Sequence, residues 1–339
     1  MGRRRADEIS KSLHYQRAGG WFICPPFTTF KLEIVVENLL QMSSLFIQQL
    51  VNGVTLGGVY ALIAVGYTMV YGVIELINFA HGEIYMFGAF LAFTMVTMFN
   101  VPFLIAALLS VMICGCFGIV LDFVAYRPLR RAPRLAALIT AIGMSLFLQN
   151  LALMIWGGEI QSFPRDVLPK VFYSVALDFS GVTITWIQVI ILVVTIIFMA
   201  ALHFIIHRTM IGTAMRAVSQ DKTTASLMGV NVNRVISFTF LIGSSLGAVA
   251  GILVGLYYNA IFHMMGFMMG VKAFAAAVLG GIGSVPGAML GGGLLGIAEA
   301  LGAGYLSSAY RDGISYAVMI LIILFKPSGL VGRSKTEKV

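Results

Sequence analysis

Charge is scarce in this sequence. Only 11% of its 339 residues are Asp, Glu, Lys or Arg, whereas 59% are hydrophobic. A soluble domain carries about a quarter charged residues, because its surface must be hydrated. This shortage excludes an ordinary soluble globule and leaves lipid as the solvent. Cysteine is equally sparse. Cys114 and Cys116 stand two apart in an apolar run, on different helix faces, and Cys24 is alone, so neither a disulfide framework nor a redox compartment follows. No Gly-x-x-x-x-Gly-Lys-Ser/Thr stretch occurs. ATP, if it powers this chain, is hydrolysed by another polypeptide, and no cofactor motif is visible.

What the chain has is a succession of apolar runs. They cover 47–72, 73–100, 102–125, 135–156, 184–206, 235–258, 273–305 and about 313–325. A crossing helix needs about 20 such residues, so the fold is an all-α polytopic bundle of about 8 transmembrane segments. The 22 Lys and Arg against 14 Asp and Glu lie largely in short connectors, which reads as positive-inside topology rather than nucleic-acid binding. Loop 127–134 carries Arg127, Arg130, Arg131 and Arg134; loop 207–234 carries Arg208, Arg216, Lys222 and Arg234; the tail carries Lys326, Arg333, Lys335 and Lys338. All three are expected in the cytoplasm, and loop 157–183, with only Arg165 and Lys170, outside.

Parity then constrains the two odd runs. An even number of crossings must join loop 207–234 to the tail, yet three runs are seen, so glycine-rich 273–305 is expected to be broken or re-entrant. The same holds for 73–100 if the arginine-rich start of the chain is also inside. Each odd run follows a small-residue helix, Leu56 to Leu62 in one half and Leu246 to Ile252 in the other. This loose match suggests an internal two-fold repeat, the architecture that places transport routes at interrupted helices. Residues 1–41 differ from the rest and are expected to be a disordered cytoplasmic tail or the product of a start codon set too far upstream. Residues 42–339 form the membrane domain.

Three segments could carry chemistry. Glu75, Asn78, His81, Gly82 and Glu83 put ionisable groups into an apolar run, where they cost several kcal/mol, so they are candidates for a translocation path. On a helix, Glu75, Asn78 and Gly82 would share one face. The plainer reading is an interfacial cap, and one His with two acids does not make a metal site. The stretch 210–231 reads as two short amphipathic helices ending at Gly229, a segment suited to docking on a soluble partner. The plainer reading there is a solvated connector. In the third, Gly280, Gly281, Gly283, Ser284 and Gly287 permit close helix approach. An intramembrane protease built on Ser145 with His203 or His207 has no partner geometry to support it.

Taken together, these motifs resemble the permeases of high-affinity branched-chain amino-acid ABC importers, the H-type subunit specifically. The resemblance rests on Asn52–Gly57, Tyr60–Gly72, Ile77–Glu83, Tyr126–Pro128, Ala141–Ser145, Ala225–Gly229 and Lys272 through Met289, in order, over about 42–339. It implies a cell inner-membrane subunit that takes part in Leu, Ile and Val import by alternating access. Its partners would be a second permease, two cytoplasmic ATPases and a periplasmic amino-acid-binding protein. The resemblance also makes 207–231 the ATPase-coupling region, with Gly212, Arg216, Asp221, Ser226 and Gly229 as its marked positions. The run Ser219–Thr224 departs from the family's more acidic pattern there. The competing reading is a stand-alone secondary transporter or channel for small polar solutes such as amides or urea. It would need ion-binding acids, for which Glu299 and Asp122 are the further candidates.

Overall fold

The computed structural model describes residues 27–332 except Ile77, Arg165, Val167 and Ser180, with side chains from residue 42 onward apart from Arg131 and Arg134. The expectations for residues 1–41 concern side chains, and largely backbone, outside that set. The chain divides after Ser44, and the unit Leu45–Val339 carries everything below.

Eleven helices account for nearly all of the described structure: α1 (Phe27–Ile74), α2 (His81–Thr97), α3 (Phe103–Leu121), α4 (Arg134–Trp156), α5 (Trp186–Arg208), α6 (Met210–Gln220), α7 (Lys222–Leu227), α8 (Val232–Tyr258), α9 (Met265–Gly280), α10 (Val285–Tyr305) and α11 (Arg311–Phe325). Seven segments are long and apolar enough to cross a membrane, which makes this a multi-pass membrane protein. The all-α expectation holds apart from one hairpin in the loop 157–185, where β1 (Val175–Phe179) pairs antiparallel with β2 (Val182–Thr185).

Local chemistry sets the boundaries. Pro102 opens α3, its fixed φ being compatible with a helix start. Gly157, at φ 81°, ends α4 where a side chain would be strained. Thr185 and Gln188 form a reciprocal capping box that starts α5. Past Leu121 the helix widens into a π turn over Asp122–Tyr126 and then a 3-10 turn over Pro128–Arg131.

Both odd runs are interrupted, but parity accounts only for 273–305. The first span begins beside the loop 157–185, where Gln48 bonds Thr183, and not at the basic end as the inside start assumed. The three runs from there to loop 127–134 need no extra crossing. α1 stops at Ile74, Glu75 adopts φ 60°, and α2 restarts at His81. The run 273–305 is an antiparallel pair, α9 and α10, turned at Gly281–Ser284, where Gly281 and Gly283 have φ of 105° and 92°. The even number of helices after the coupling loop is thus four. A further break lies at Asn259–Met264, just past the end of the run 235–258 and opened by Asn259 at φ 48°, and α9 restarts at Met265, eight residues before the run read from 273.

These two breaks reveal the repeat. α1 and α8 are the most buried spans, and each ends in a left-handed residue followed by a short helix, 17 residues for α2 and 16 for α9. Glu75 and Asn259 are 184 positions apart, as are His81 and Met265. The sequence match of Leu56 with Leu246 is therefore six residues out of register. α1 runs from Gln48, bonded to Thr183 in the loop 157–185, to Ile74, bonded by Lys222 in the basic loop. α8 runs the other way, from Asn233 beside Arg130 to Tyr258, three residues before Ile261, which pairs with Gln161. The repeats are inverted. Their short helices meet at Gly82, where an added Cβ would lie 2.4 Å from the Gly266 carbonyl.

Candidate functional site

Polar side chains are gathered at three levels of the bundle, and in each they tie helices together. Nearest the basic loops, Asp122 is fully buried on the π turn. Arg130 donates to one of its oxygens at 2.5 Å and Ser237 to the other at 2.7 Å, while Arg130 also bonds Asn233. This fastens loop 127–134 to the start of α8.

The middle level holds the predicted path residues. Asn78, His81 and Glu83 are at most 1% exposed. Tyr126 donates to Asn78 Oδ1 at 2.5 Å. Glu83, in the first turn of α2 where the helix dipole favours an acid, accepts from Ser145 at 2.7 Å and from Gln149 at 2.9 Å, both on Oε1. His81 packs edge-on against Tyr67 and fills the space left by Gly66, whose added Cβ would sit 2.4 Å from His81 Nε2. Glu75 is exposed at the break. The shared helical face expected of Glu75, Asn78 and Gly82 does not form, because Glu75–Ala80 is not helical. A cleft beside the break, lined by Tyr67, Thr68, Tyr71, Phe274, Ala277 and Ile282, has a cavity volume of about 10 Å³, room for roughly one water molecule.

The third level was foreseen only in part. Glu299, 1% exposed on α10, accepts from Lys272 at 3.0 Å, Tyr60 at 2.9 Å and Ser315 at 2.8 Å. Arg311 Nε lies 3.2 Å from Glu299 Oε1, an ion-pair distance without hydrogen-bond alignment, and Lys272 also reaches Asp312 at 2.6 Å. Two cations and two anions join α1, α9, α10 and α11. Lys272 within an apolar helix was the sequence signal for this cluster.

The glycine segment forms a turn. Ser284 caps α10 through the Gly287 amide at 3.2 Å, and Gly280 and Gly287 touch backbone to backbone. Leu330 and Val331 donate to the carbonyls of Leu279 and Gly280 at 2.9 and 3.0 Å, sealing the turn with the chain's tail.

The basic connector forms the two expected helices. Thr209 caps α6 through Gly212, a buried position with no room for a side chain against the Ile205 carbonyl. Asp221 caps α7, accepting from the amides of Thr223 and Thr224 at 2.8 and 3.3 Å and from the Thr224 hydroxyl at 2.5 Å. Those three bonds hold its carboxyl below the usual range. Gly229, at φ 86°, closes α7 with its amide on the Ser226 carbonyl at 3.0 Å. Arg216 and Ser226 are exposed, and so, unforeseen, are the apolar side chains of Met210, Leu227 and Met228, each more than 80% accessible.

Among the described residues no group of three His, Cys, Asp or Glu side chains could hold a metal ion. Comparison with known proteins gives a consistent picture. A family model described as the permease component of branched-chain amino acid transport systems matches residues 49–323. The chain is 47% identical over 302 residues to the high-affinity branched-chain amino acid transport system permease protein BraD of Pseudomonas aeruginosa, spanning 87% of this chain and 98% of that one. It is 48% identical, with the same coverage, to the corresponding protein LivH of Escherichia coli K12. A probable branched-chain amino acid transport permease of Methanocaldococcus jannaschii is 28% identical over 279 residues, 80% of this chain and 88% of that one.

Proposed function

This chain belongs to the permease-component family of branched-chain amino acid transport systems, and we propose that it forms one half of the route by which an ATP-driven importer carries Leu, Ile and Val across the bacterial inner membrane. A second permease would complete the route. Two ATPase subunits would bind at the basic, cytoplasmic end, and a periplasmic binding protein would deliver the amino acid at the other.

The observation that carries this reading is the closed interior. The middle-level groups are enclosed between helices, with Asn78 Oδ1 held by Tyr126 and Glu83 Oε1 by Ser145 and Gln149. Asn78 Nδ2, His81 Nε2 and Glu83 Oε2 are buried without a partner among the described residues, and the cleft beside them admits about one water molecule. A zwitterion the size of leucine needs a passage on a face shared with another subunit. The broken helices α2 and α9, whose starts meet at Gly82 and Gly266, are the elements that move as the face opens. Asn78, His81 and Glu83 act there by setting the position of α2. Glu75 stands at the exposed end of the break.

Coupling to ATP takes place at α6 and α7. Exposed apolar side chains in a segment outside the lipid mark a protein contact. Met210, Leu227 and Met228 are its anchors, and Arg216 and Ser226 its polar rim. Gly212, Asp221 and Gly229 shape the two helices. The turn Gly280–Gly287 joins α9 to α10 at the same end.

Coexpression with its partner subunits tests the proposal. The chain should copurify with two ATPase-sized proteins, and vesicles holding the assembly should take up leucine only with ATP and the binding protein. Leu227→Asp with Met228→Asp should release the ATPases. Uptake by the chain alone, driven by an ion gradient, would sink the importer reading in favour of a secondary transporter.

A further inference from the structure

At the basic end, between the ends of α3 and α8, lies a second and larger cavity of about 460 Å³, a volume in the range of ligand sites. It is lined by the polar side chains of Arg127, Asn233 and Arg234 together with the apolar side chains of Ile119, Phe238 and Leu241. We infer that this groove binds the headgroup of one anionic phospholipid of the cytoplasmic leaflet, with the phosphodiester between Arg127 and Arg234 and the acyl chains along α3.

Charge is the first argument. The acid beside the groove, Asp122, is already satisfied: Arg130 occupies one oxygen and Ser237 the other. Asn233 is likewise committed to Arg130. Neither Arg127 nor Arg234 has a side-chain hydrogen bond or ion pair among the described residues. The Arg127 guanidinium lies 5.3 Å from the centre of the Phe123 ring, and only the main-chain amide of Arg234 is engaged, by the Asn231 cap. Two unneutralised guanidinium groups therefore share one concave site. Guanidinium is the side chain best matched to phosphate oxygens.

Shape is the second. A free phosphate needs no greasy wall, yet the groove is lined also by Ile119, Phe238 and Leu241. Beyond it α3 continues outward as an exposed apolar strip of Val120, Ile113 and Met112. The arginines sit where a basic segment leaves the bilayer, the depth of lipid phosphates on the cytoplasmic side. A ligand charged at one end and apolar at the other satisfies both halves. The π turn at Asp122–Tyr126, a distortion frequent at functional sites, displaces the end of α3 and leads the chain to Arg127.

The test uses full-length protein in native-lipid discs, delipidated stepwise with detergent and followed by intact-complex mass spectrometry. Phosphatidylglycerol should persist on the wild type when phosphatidylcholine has gone. R127Q/R234Q should weaken that retention roughly thirtyfold, at about 1 kcal/mol for each arginine, and R127K/R234K should restore most of it. Should the glutamine variant fail to fold, a photo-crosslinking residue at position 238 in otherwise wild-type protein gives an independent readout. It should capture phosphatidylglycerol in preference to phosphatidylcholine. Equal retention of the two lipids, displacement by millimolar inorganic phosphate alone, or capture of an ATPase subunit at 238 in place of lipid would each overturn the assignment.

Discussion

Lys222 Nζ donates a hydrogen bond to the main-chain carbonyl of Ile74 across 3.1 Å, joining the first residue of α7 to the last of α1. Helix C-termini leave carbonyls without partners, and a cation there also meets the negative end of the dipole. α1 ends at the break that precedes α2, so the contact ties the proposed ATPase-docking segment to the hinge of the first repeat. Lys222→Met should cut leucine uptake by the assembly roughly fivefold, the equivalent of about 1 kcal/mol for a partly exposed bond, while ATP hydrolysis persists. Equal loss of uptake and hydrolysis would mean that Lys222 holds the partner and transmits nothing.

Glycine contacts make a sharper structural prediction. A Cβ added at Gly251 would lie 1.9 Å from the Tyr85 carbonyl oxygen, so α2 and α8 would have to separate; at Gly143 and Gly293 it would meet nothing within 4 Å. Gly251→Ala should lower thermal stability in detergent by about 1–3 kcal/mol, the range for overpacking. Gly143→Ala should be neutral or raise it by up to about 1 kcal/mol from helix propensity. Similar melting shifts for the two variants would refute this packing.

The legible part of this fold was whatever interrupts an apolar run. Asn78–Glu83 and Gly280–Ser284 stand out in composition, and both mark helix breaks. The break at Asn259–Met264 falls where the run 235–258 ends, but the helix that follows it did not show, because α9 starts at Met265, eight residues before the apolar run read from 273. The repeat was read six residues out of register because its landmarks are backbone breaks, while small residues recur throughout every helix. Partners were harder still. Glu83 finds Ser145 and Gln149 more than 60 positions away, so a residue that spacing places on a route is enclosed by helices whose approach the local sequence does not encode.

The Glu299 cluster shows what such enclosure costs when it is broken. Removing one member of a buried ion pair leaves the other uncompensated, typically at about 3–5 kcal/mol. Glu299→Leu should fall in that range, because Lys272 keeps only Asp312, which is half-exposed, and Tyr60 and Ser315 lose their acceptor. Lys272→Met should cost less, since Arg311, Tyr60 and Ser315 still surround Glu299. The double variant should be destabilised by less than the sum of the two, a coupling read from chemical denaturation in mixed micelles. Strict additivity would show that Lys272 and Glu299 do not sense each other.

Asp221 gives a pH dependence whose sign follows from its bonds. Its carboxylate caps α7 and is held below the usual range by the Thr224 hydroxyl first, then by the Thr224 and Thr223 amides. A group depressed on folding contributes stability that is present above its unfolded value and is lost as pH falls through its lowered, folded value. Protection of the α7 amides from hydrogen exchange, corrected for intrinsic rates, should therefore be full at neutral pH, decline progressively once pH falls into the normal carboxylate range, and be lost below the lowered, folded value. Asp221→Asn keeps an accepting oxygen that does not titrate, so its protection should stay flat across the same window. Asp221→Ala should lack the cap at every pH and leave the exposed Leu227 and Met228 on a frayed helix, weakening ATPase copurification. If wild type and the asparagine variant lose protection at the same pH, a different group governs the end of the coupling segment.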